Sequence, residues 1–185
     1  MKFEVLYNSP QLLRDFLSYN ETIKGKSSLS IEEYYHDLVT FFFFLKIIRG
    51  KISKDVEFSD IDISDIDVEI LKTVTLQDIH SFLVYCKTER SNNAATRARK
   101  ASTIRIFFKY LHSHLGVIDS NPALLLDTPQ IKKSLPRHLS LDESIKLLSC
   151  VDGPNKERDY CILTFFLNCG MRLSELCGIN LTDIG

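Results

Sequence analysis

The sequence has no tryptophan, and its 185 residues include only seven glycines and five prolines. This composition excludes collagen-like and low-complexity chains and is typical of a globular protein. The five cysteines are odd in number and none has C-x-x-C spacing, so neither a zinc site nor a disulfide framework is indicated. Most of them occupy apolar helical positions. Free thiols of this kind fit a reducing, cytoplasmic environment.

Long hydrophobic runs are also missing. The most apolar segment, residues 38–48, is about half of the ~20 residues that a membrane span needs, and Lys46 interrupts it. The N-terminus lacks the apolar stretch of a signal peptide. We therefore expect no membrane association and interpret residues 38–48 as a helix buried in a core.

Net charge is close to zero, at −1, but it is unevenly distributed along the chain. Residues 55–69 contain seven acidic residues and no basic one, whereas residues 87–109 contain seven basic residues and one acidic residue. A basic face that suits nucleic acid can therefore exist on a nearly neutral molecule.

Helical periodicity dominates the sequence and predicts an all-α chain. Capping boxes that begin at Ser30, Thr75 and Ser140 mark three predicted helix N-termini. The acidic segment 55–67 alternates Asp with Ile, and we interpret it as an irregular connector rather than an edge strand. The predicted helices cover about residues 10–19, 30–49, 75–86, 96–114, 140–150, 158–168 and 174–177.

The middle of the chain contains turn signals at Asn121-Pro122 and Thr128-Pro129, followed by a basic segment with a further proline. This pattern predicts an exposed linker between two domains. We predict an N-terminal helical domain over residues 1–128, a basic linker over residues 129–138 and a second segment over residues 139–185.

The helix predicted from Thr96 has two unlike faces. At about 100° per residue its apolar residues fall on one side, namely Ala101, Ile104, Phe107, Phe108 and Leu111. The other side is basic, which suits phosphate contacts along duplex DNA, although a solvated helix face explains the same pattern. The candidate DNA-binding residues are Thr96, Arg97, Arg99, Lys100, Ser102, Arg105 and Lys109, with Lys132 and Lys133 in the linker.

A glycine and an arginine mark a helix junction at residues 168–176, which read N-C-G-M-R-L-S-E-L. Gly170 allows a tight turn, and a new helix is predicted to begin at Ser174 and Glu175. An arginine held at such a junction, here Arg172, can bind a phosphate through two parallel hydrogen bonds. The alternative is a surface arginine beside a helix cap, with Glu175 favoured there by the helix dipole.

Taken in order, these motifs resemble the tyrosine recombinase (phage integrase) family, and most closely its Xer-type branch. The similarity rests on residues 96–111, 121–123, 135–140, 158–160 and 168–176. It implies a helical, SAM-like core-binding domain on double-stranded DNA, followed by the first helices of an incomplete catalytic domain. It also implies strand cleavage through a 3′-phosphotyrosine without metal or cofactor, within a synaptic tetramer of recombinase protomers.

The resemblance assigns Arg172 as the first catalytic arginine, in contact with the scissile phosphate. It assigns Glu175 as an acidic residue that supports the site without contacting the phosphate itself. A fixed guanidinium stabilises the negative charge of a phosphoryl-transfer transition state. The family's remaining groups are a lysine, a His-x-x-Arg pair and a tyrosine nucleophile, all downstream, and no H-x-x-R occurs in these 185 residues. Tyr160 precedes Arg172, so we interpret it as a packing residue.

We therefore expect DNA binding but no strand cleavage by these 185 residues alone. Two other functions are compatible with the sequence. One is a non-catalytic DNA-binding accessory or decoy related to recombinases. The other is a helical protein-interaction module without a role on DNA.

Overall fold

The structure, a computed structural model, describes residues 9–52, 62–131, 135 and 137–183. Within these ranges all regular secondary structure is helical, which confirms the all-α fold class. None of the described helices is long and apolar enough to cross a membrane. The α-helices are α1 (Gln11–Ser18), α2 (Ser28–Ile48), α3 (Val68–Lys72), α4 (Leu76–Thr88), α5 (Ala94–Lys109), α6 (Leu141–Ser149), α7 (Lys156–Thr164) and α8 (Leu173–Cys177).

Three helices continue into a wider π-helical turn. These turns are Tyr19–Ile23 after α1, Tyr110–His114 after α5 and Phe165–Cys169 after α7. The first two pack against each other through rings, because the centroid of Tyr19 lies 5.0 Å from Tyr110 and 5.1 Å from His114. The helices predicted to end near residues 114 and 168 therefore do so, but in a π-helical turn, whereas the helix predicted to end near residue 19 continues in such a turn to Ile23.

The chain divides into two compact units, residues 1–132 and residues 133–185, and each is described by itself. The N-terminal unit has a phenylalanine-rich core to which α1, α2, α4 and α5 contribute. Phe16 meets Phe107 edge to face at 5.3 Å, and Phe41 meets Phe82 in the same way at 5.1 Å. Aromatic pairs of this geometry add about 0.5–1.5 kcal/mol each beyond their buried area. Residues 38–46 are buried or nearly so, which confirms most of the apolar run 38–48 as core, whereas Ile48 at its end is exposed.

Helix starts depend on side-chain caps, and two of the three predicted capping boxes are confirmed, at Thr75 and Ser140. The prediction at Ser30 is wrong, because the cap of α2 is Ser27, whose hydroxyl accepts a hydrogen bond from the Ser30 N–H. Serines at 27, 28 and 30 offer competing caps, and the helix takes the earliest. Helix α5 also begins earlier than predicted, at Ala94, with Asn93 as its cap.

The acidic segment is only partly described, since residues 53–61 lie outside the described ranges. The described part, residues 62–67, forms a turn with no strand pairing, and α3 follows it. We did not predict α3; its cap is Asp67, whose carboxylate accepts from the Ile70 N–H. The buried ammonium of Lys46 holds this turn by donating to the Asp62 carbonyl and to the Asp65 carboxylate.

The C-terminal unit contains α6, α7 and α8, and none of its described side chains is buried. Tyr160, which we interpret as a packing residue, is about half exposed there. Four of the five cysteines, at 150, 161, 169 and 177, are exposed in this unit, although most were expected at apolar helical positions. Cys86 is the buried one, and burial raises the pKa of its thiol to about 11.

Candidate nucleic-acid interface

Helix α5 places its apolar side in the core, as its periodicity predicts. Ala101, Ile104, Phe107 and Phe108 are completely buried, and Leu111 continues this face into the π-helical turn. The candidate DNA-binding residues therefore depend on what remains on the other sides of the helix. Two groups can be distinguished among the described ones: one with an acidic partner, and one towards the C-terminal end of α5 without such a partner among the described residues.

The first group is held by Asp37, a fully buried carboxylate on α2. Its oxygens accept hydrogen bonds from the Arg99 guanidinium, the Lys100 ammonium and the Thr103 hydroxyl, each at 2.9 Å. Arg99 also forms an ion pair with Glu33, one turn before Asp37 on α2. A buried carboxylate is tolerated only when it is paired and hydrogen-bonded, so these contacts bind α5 to α2.

This pairing changes the interpretation of Lys100. Its side chain is only 8% exposed, and its charge is matched by Asp37 inside the protein. Arg99 is 42% exposed, so part of its guanidinium still reaches solvent. Sequence periodicity cannot show this difference, because Asp37 lies more than sixty residues away along the chain.

The N-terminal end of α5 is organised by the loop before it. The Asn93 side chain caps the helix by accepting from the Thr96 N–H at 2.8 Å. Arg97 reaches back and donates to the Asn92 carbonyl, which keeps its guanidinium against the loop. Ser91 has a positive φ of 52°, a conformation that non-glycine residues rarely adopt. Thr96 and Arg97 are therefore placed by a locally strained turn.

The second group lies towards the C-terminal end of α5. Arg105 donates to the Leu126 carbonyl and to the Thr128 hydroxyl, which are both neutral acceptors. Lys109 is exposed, and Ser102 is partly exposed on the same helix. Neither Arg105 nor Lys109 has a carboxylate partner within the described residues. Lys132 and Lys133, the candidates in the linker, lie outside them.

The junction in the C-terminal unit has the predicted turn at Gly170, but α8 begins one residue earlier than predicted, at Leu173. Gly170 adopts the left-handed conformation, with φ 61°, at the end of the π-helical turn, and Arg172 occupies the N-cap position of α8. Glu175 accepts from the Arg172 N–H at 2.7 Å and from its guanidinium at 3.0 Å. The Arg172 side chain is nevertheless 82% exposed, so this single contact orients a guanidinium that remains open to a ligand.

The part of the chain that the structure describes contains no cluster of side chains suited to hold a metal ion. No group of three His, Cys, Asp or Glu side chains converges there. The candidate binding groups on the described surface are guanidinium and ammonium groups, which bind phosphate or carboxylate oxygens.

Comparisons with known proteins define the class first. Residues 62–114, which span α3, α4, α5 and the π-helical turn after it, match the family described as phage integrase, N-terminal SAM-like domain. The N-terminal unit therefore contains the SAM-like domain of this family. No solved structure matches the chain.

The relatives then define the particular branch. Tyrosine recombinase XerC of Caldanaerobacter subterraneus subsp. tengcongensis is 47% identical over 95% of this chain and 50% of its own length. Tyrosine recombinase XerC of Thermodesulfovibrio yellowstonii is 34% identical over 96% of this chain and 52% of its own. The chain is thus homologous to Xer-type tyrosine recombinases, and it spans about half the length of these relatives.

Proposed function

We propose that this chain is the DNA-binding portion of a site-specific tyrosine recombinase. The supporting observation is that homology to tyrosine recombinases covers nearly the whole chain, including α5. On this helix Arg105 and Lys109 lack a neutralising carboxylate among the described residues. Cations without an internal partner are the groups that gain most from contact with the phosphates of duplex DNA.

The proposal is tested by the affinity of the chain for a duplex of about 30 base pairs, measured by fluorescence anisotropy between 50 and 200 mM salt. Each phosphate contact contributes about 0.9 to the slope of log affinity against log salt. We expect a slope of several units. Absence of binding, or an affinity independent of salt, would contradict the proposal.

Ser102 offers a matched pair of variants for the position of the interface. Ser102→Asp adds a negative charge to the partly exposed side of α5, and Ser102→Asn adds similar volume without charge. We expect weaker binding for the aspartate and little change for the asparagine, since repulsion from phosphates is electrostatic. Equal affinities would place the interface elsewhere.

Catalysis is a separate part of the proposal. In the complete enzyme Arg172 would contact the scissile phosphate, with Glu175 fixing its guanidinium, and assembly with further recombinase protomers would complete the reaction. For residues 1–185 alone we expect no covalent product on a nicked suicide duplex, resolved on a denaturing gel. A covalent band that disappears in Tyr160→Phe would refute this expectation.

A further inference from the structure

A cleft of about 520 Å³ opens beside the end of α5 and its π-helical turn. Arg105, Lys109 and His112 line it from one side, at spacings of four and three residues that place them on the same face of the helix. The opposite side comes from the segment 119–124. The full lining is Arg105, Lys109, His112, Ser113, Asp119, Ser120, Asn121 and Leu124.

The charge of this cleft is predominantly positive. One terminal nitrogen of the Arg105 guanidinium donates to the Leu126 carbonyl and to the Thr128 hydroxyl, which are both neutral. Among the described residues no acceptor is seen for its Nε or its second terminal nitrogen. Lys109 is exposed and has no ion pair within the described ranges. Asp119 is the one acidic side chain in the lining.

The charge of Asp119 also acts on a lysine of a neighbouring helix, Lys72 on α3. The pKa of Lys72 on α3 is raised, mainly by its hydrogen bond to Glu69, and Asp119 adds to the effect through its charge. The lining of the cleft contains two cations, Arg105 and Lys109, and one carboxylate, Asp119.

Neutral donors complete the lining. Asn121 accepts the Ala123 N–H through its Oδ1 at 2.9 Å, an orientation that leaves the amide NH2 as a donor. His112 Nδ1 lies 3.3 Å from the Ser113 hydroxyl, so the ring is held by its neighbour through that nitrogen. Guanidinium, ammonium and amide N–H groups thus surround one space, which suits a ligand with several acceptor oxygens and negative charge.

We propose that this cleft binds a phosphate group and that it holds one phosphodiester of the duplex backbone. The second clause rests on the DNA-binding function proposed above; the first does not. Lys109 and Arg105 supply the charge, and Asn121 and His112 fix the position of the oxygens. A phosphate placed here anchors the C-terminal end of α5 on the duplex without reading base sequence.

The test uses residues 1–185 with Lys109→Gln and His112→Gln, both at exposed positions. Lys26→Gln is the control, since it removes the same charge from an exposed lysine outside the cleft lining. For Lys109→Gln we expect the slope of log affinity for duplex DNA against log salt to fall by about 0.9. For Lys26→Gln we expect no change in slope. Asp119→Asn should tighten binding.

Inorganic phosphate separates this inference from the proposed function. Titration followed by NMR should shift the resonances of Lys109, His112 and Asn121, and Lys109→Gln should weaken that binding. If duplex DNA binds but Lys109→Gln behaves like Lys26→Gln, the cleft assignment is overturned while DNA binding stands. If phosphate shifts these resonances but no duplex binds, the phosphate site is supported and the backbone role is overturned. If phosphate shifts none of them, the site itself is refuted.

Discussion

The buried carboxylate of Asp37 provides the strongest test of how α5 is held. Asp37→Asn keeps the size of the side chain and removes the charge shared by Arg99 and Lys100. Lys100 is then left with a buried ammonium and no carboxylate partner among the described residues. Removing one member of a buried ion pair typically costs about 3–5 kcal/mol, because the remaining charge stays desolvated. The asparagine oxygen can still accept from Thr103, so we expect the lower end of this range, about 3 kcal/mol.

Urea unfolding followed by circular dichroism measures this cost. With a slope of about 2 kcal/mol per molar urea, a loss of ~3 kcal/mol moves the midpoint down by about 1.5 M. Asp37→Asn combined with Lys100→Met removes the stranded charge as well and should recover most of the stability. As a comparison, Glu33→Gln weakens only the half-exposed pair with Arg99 and should cost about 1 kcal/mol or less.

An unchanged midpoint in Asp37→Asn would refute the reasoning. So would a double variant that is less stable than the single one, since that result would mean that the Lys100 ammonium is not desolvated. Because the Asp37 side chain is fully buried and that of Lys100 is nearly so, we expect neither of these two results.

Three further predictions follow from single features of the structure. With a thiol reagent under native conditions, four cysteines should react rapidly, and Cys86 should react only as fast as the N-terminal unit unfolds, because it is buried and its pKa is raised to about 11. Burial raises the pKa of Asp78, but hydrogen bonds from Thr75 and Arg49 outweigh burial and hold this pKa below its ordinary value. The stabilisation that the Asp78 carboxylate gives the fold should be present above about pH 4 and be lost as pH falls through that lower pKa. In denaturant titrations Asp78→Asn should lack this acid dependence. Phe107→Ala should lower the free energy of unfolding by about 3–5 kcal/mol, measured by urea titration, because the ring is fully buried; a loss below 1 kcal/mol would contradict the packing described here.

Helix positions were predicted well from the sequence where they depend on residues close together in the chain. The caps at Thr75 and Ser140 are formed by residues three positions apart, and the apolar face of α5 follows from helical periodicity alone. The start of α2 was misplaced because several serines compete for the cap. Helix α3 has five residues, too few to show a period.

The candidate interface was predicted less completely, because charge pairing is a tertiary property. The basic side of α5 is evident in the sequence, but the neutralisation of Lys100 depends on Asp37, which comes from another helix. The cleft residues His112 and Asn121 were not predicted as ligand-binding. The turn at Gly170 was predictable, because it depends on one short segment, whereas the N-cap position of Arg172 was not predicted, since Ser174 was the expected start of α8.

The contrast between the two units has a consequence for amide hydrogen exchange. Exchange rates report the free energy of the opening that exposes each N–H to water, and that free energy is largest where apolar side chains are buried around it. Amides in α2 and α5 lie in a phenylalanine core, whereas α6, α7 and α8 have no buried side chain among those described. Deuterium labelling of the native chain should therefore divide its peptides into two classes, with slow exchange confined to residues before the division at 132.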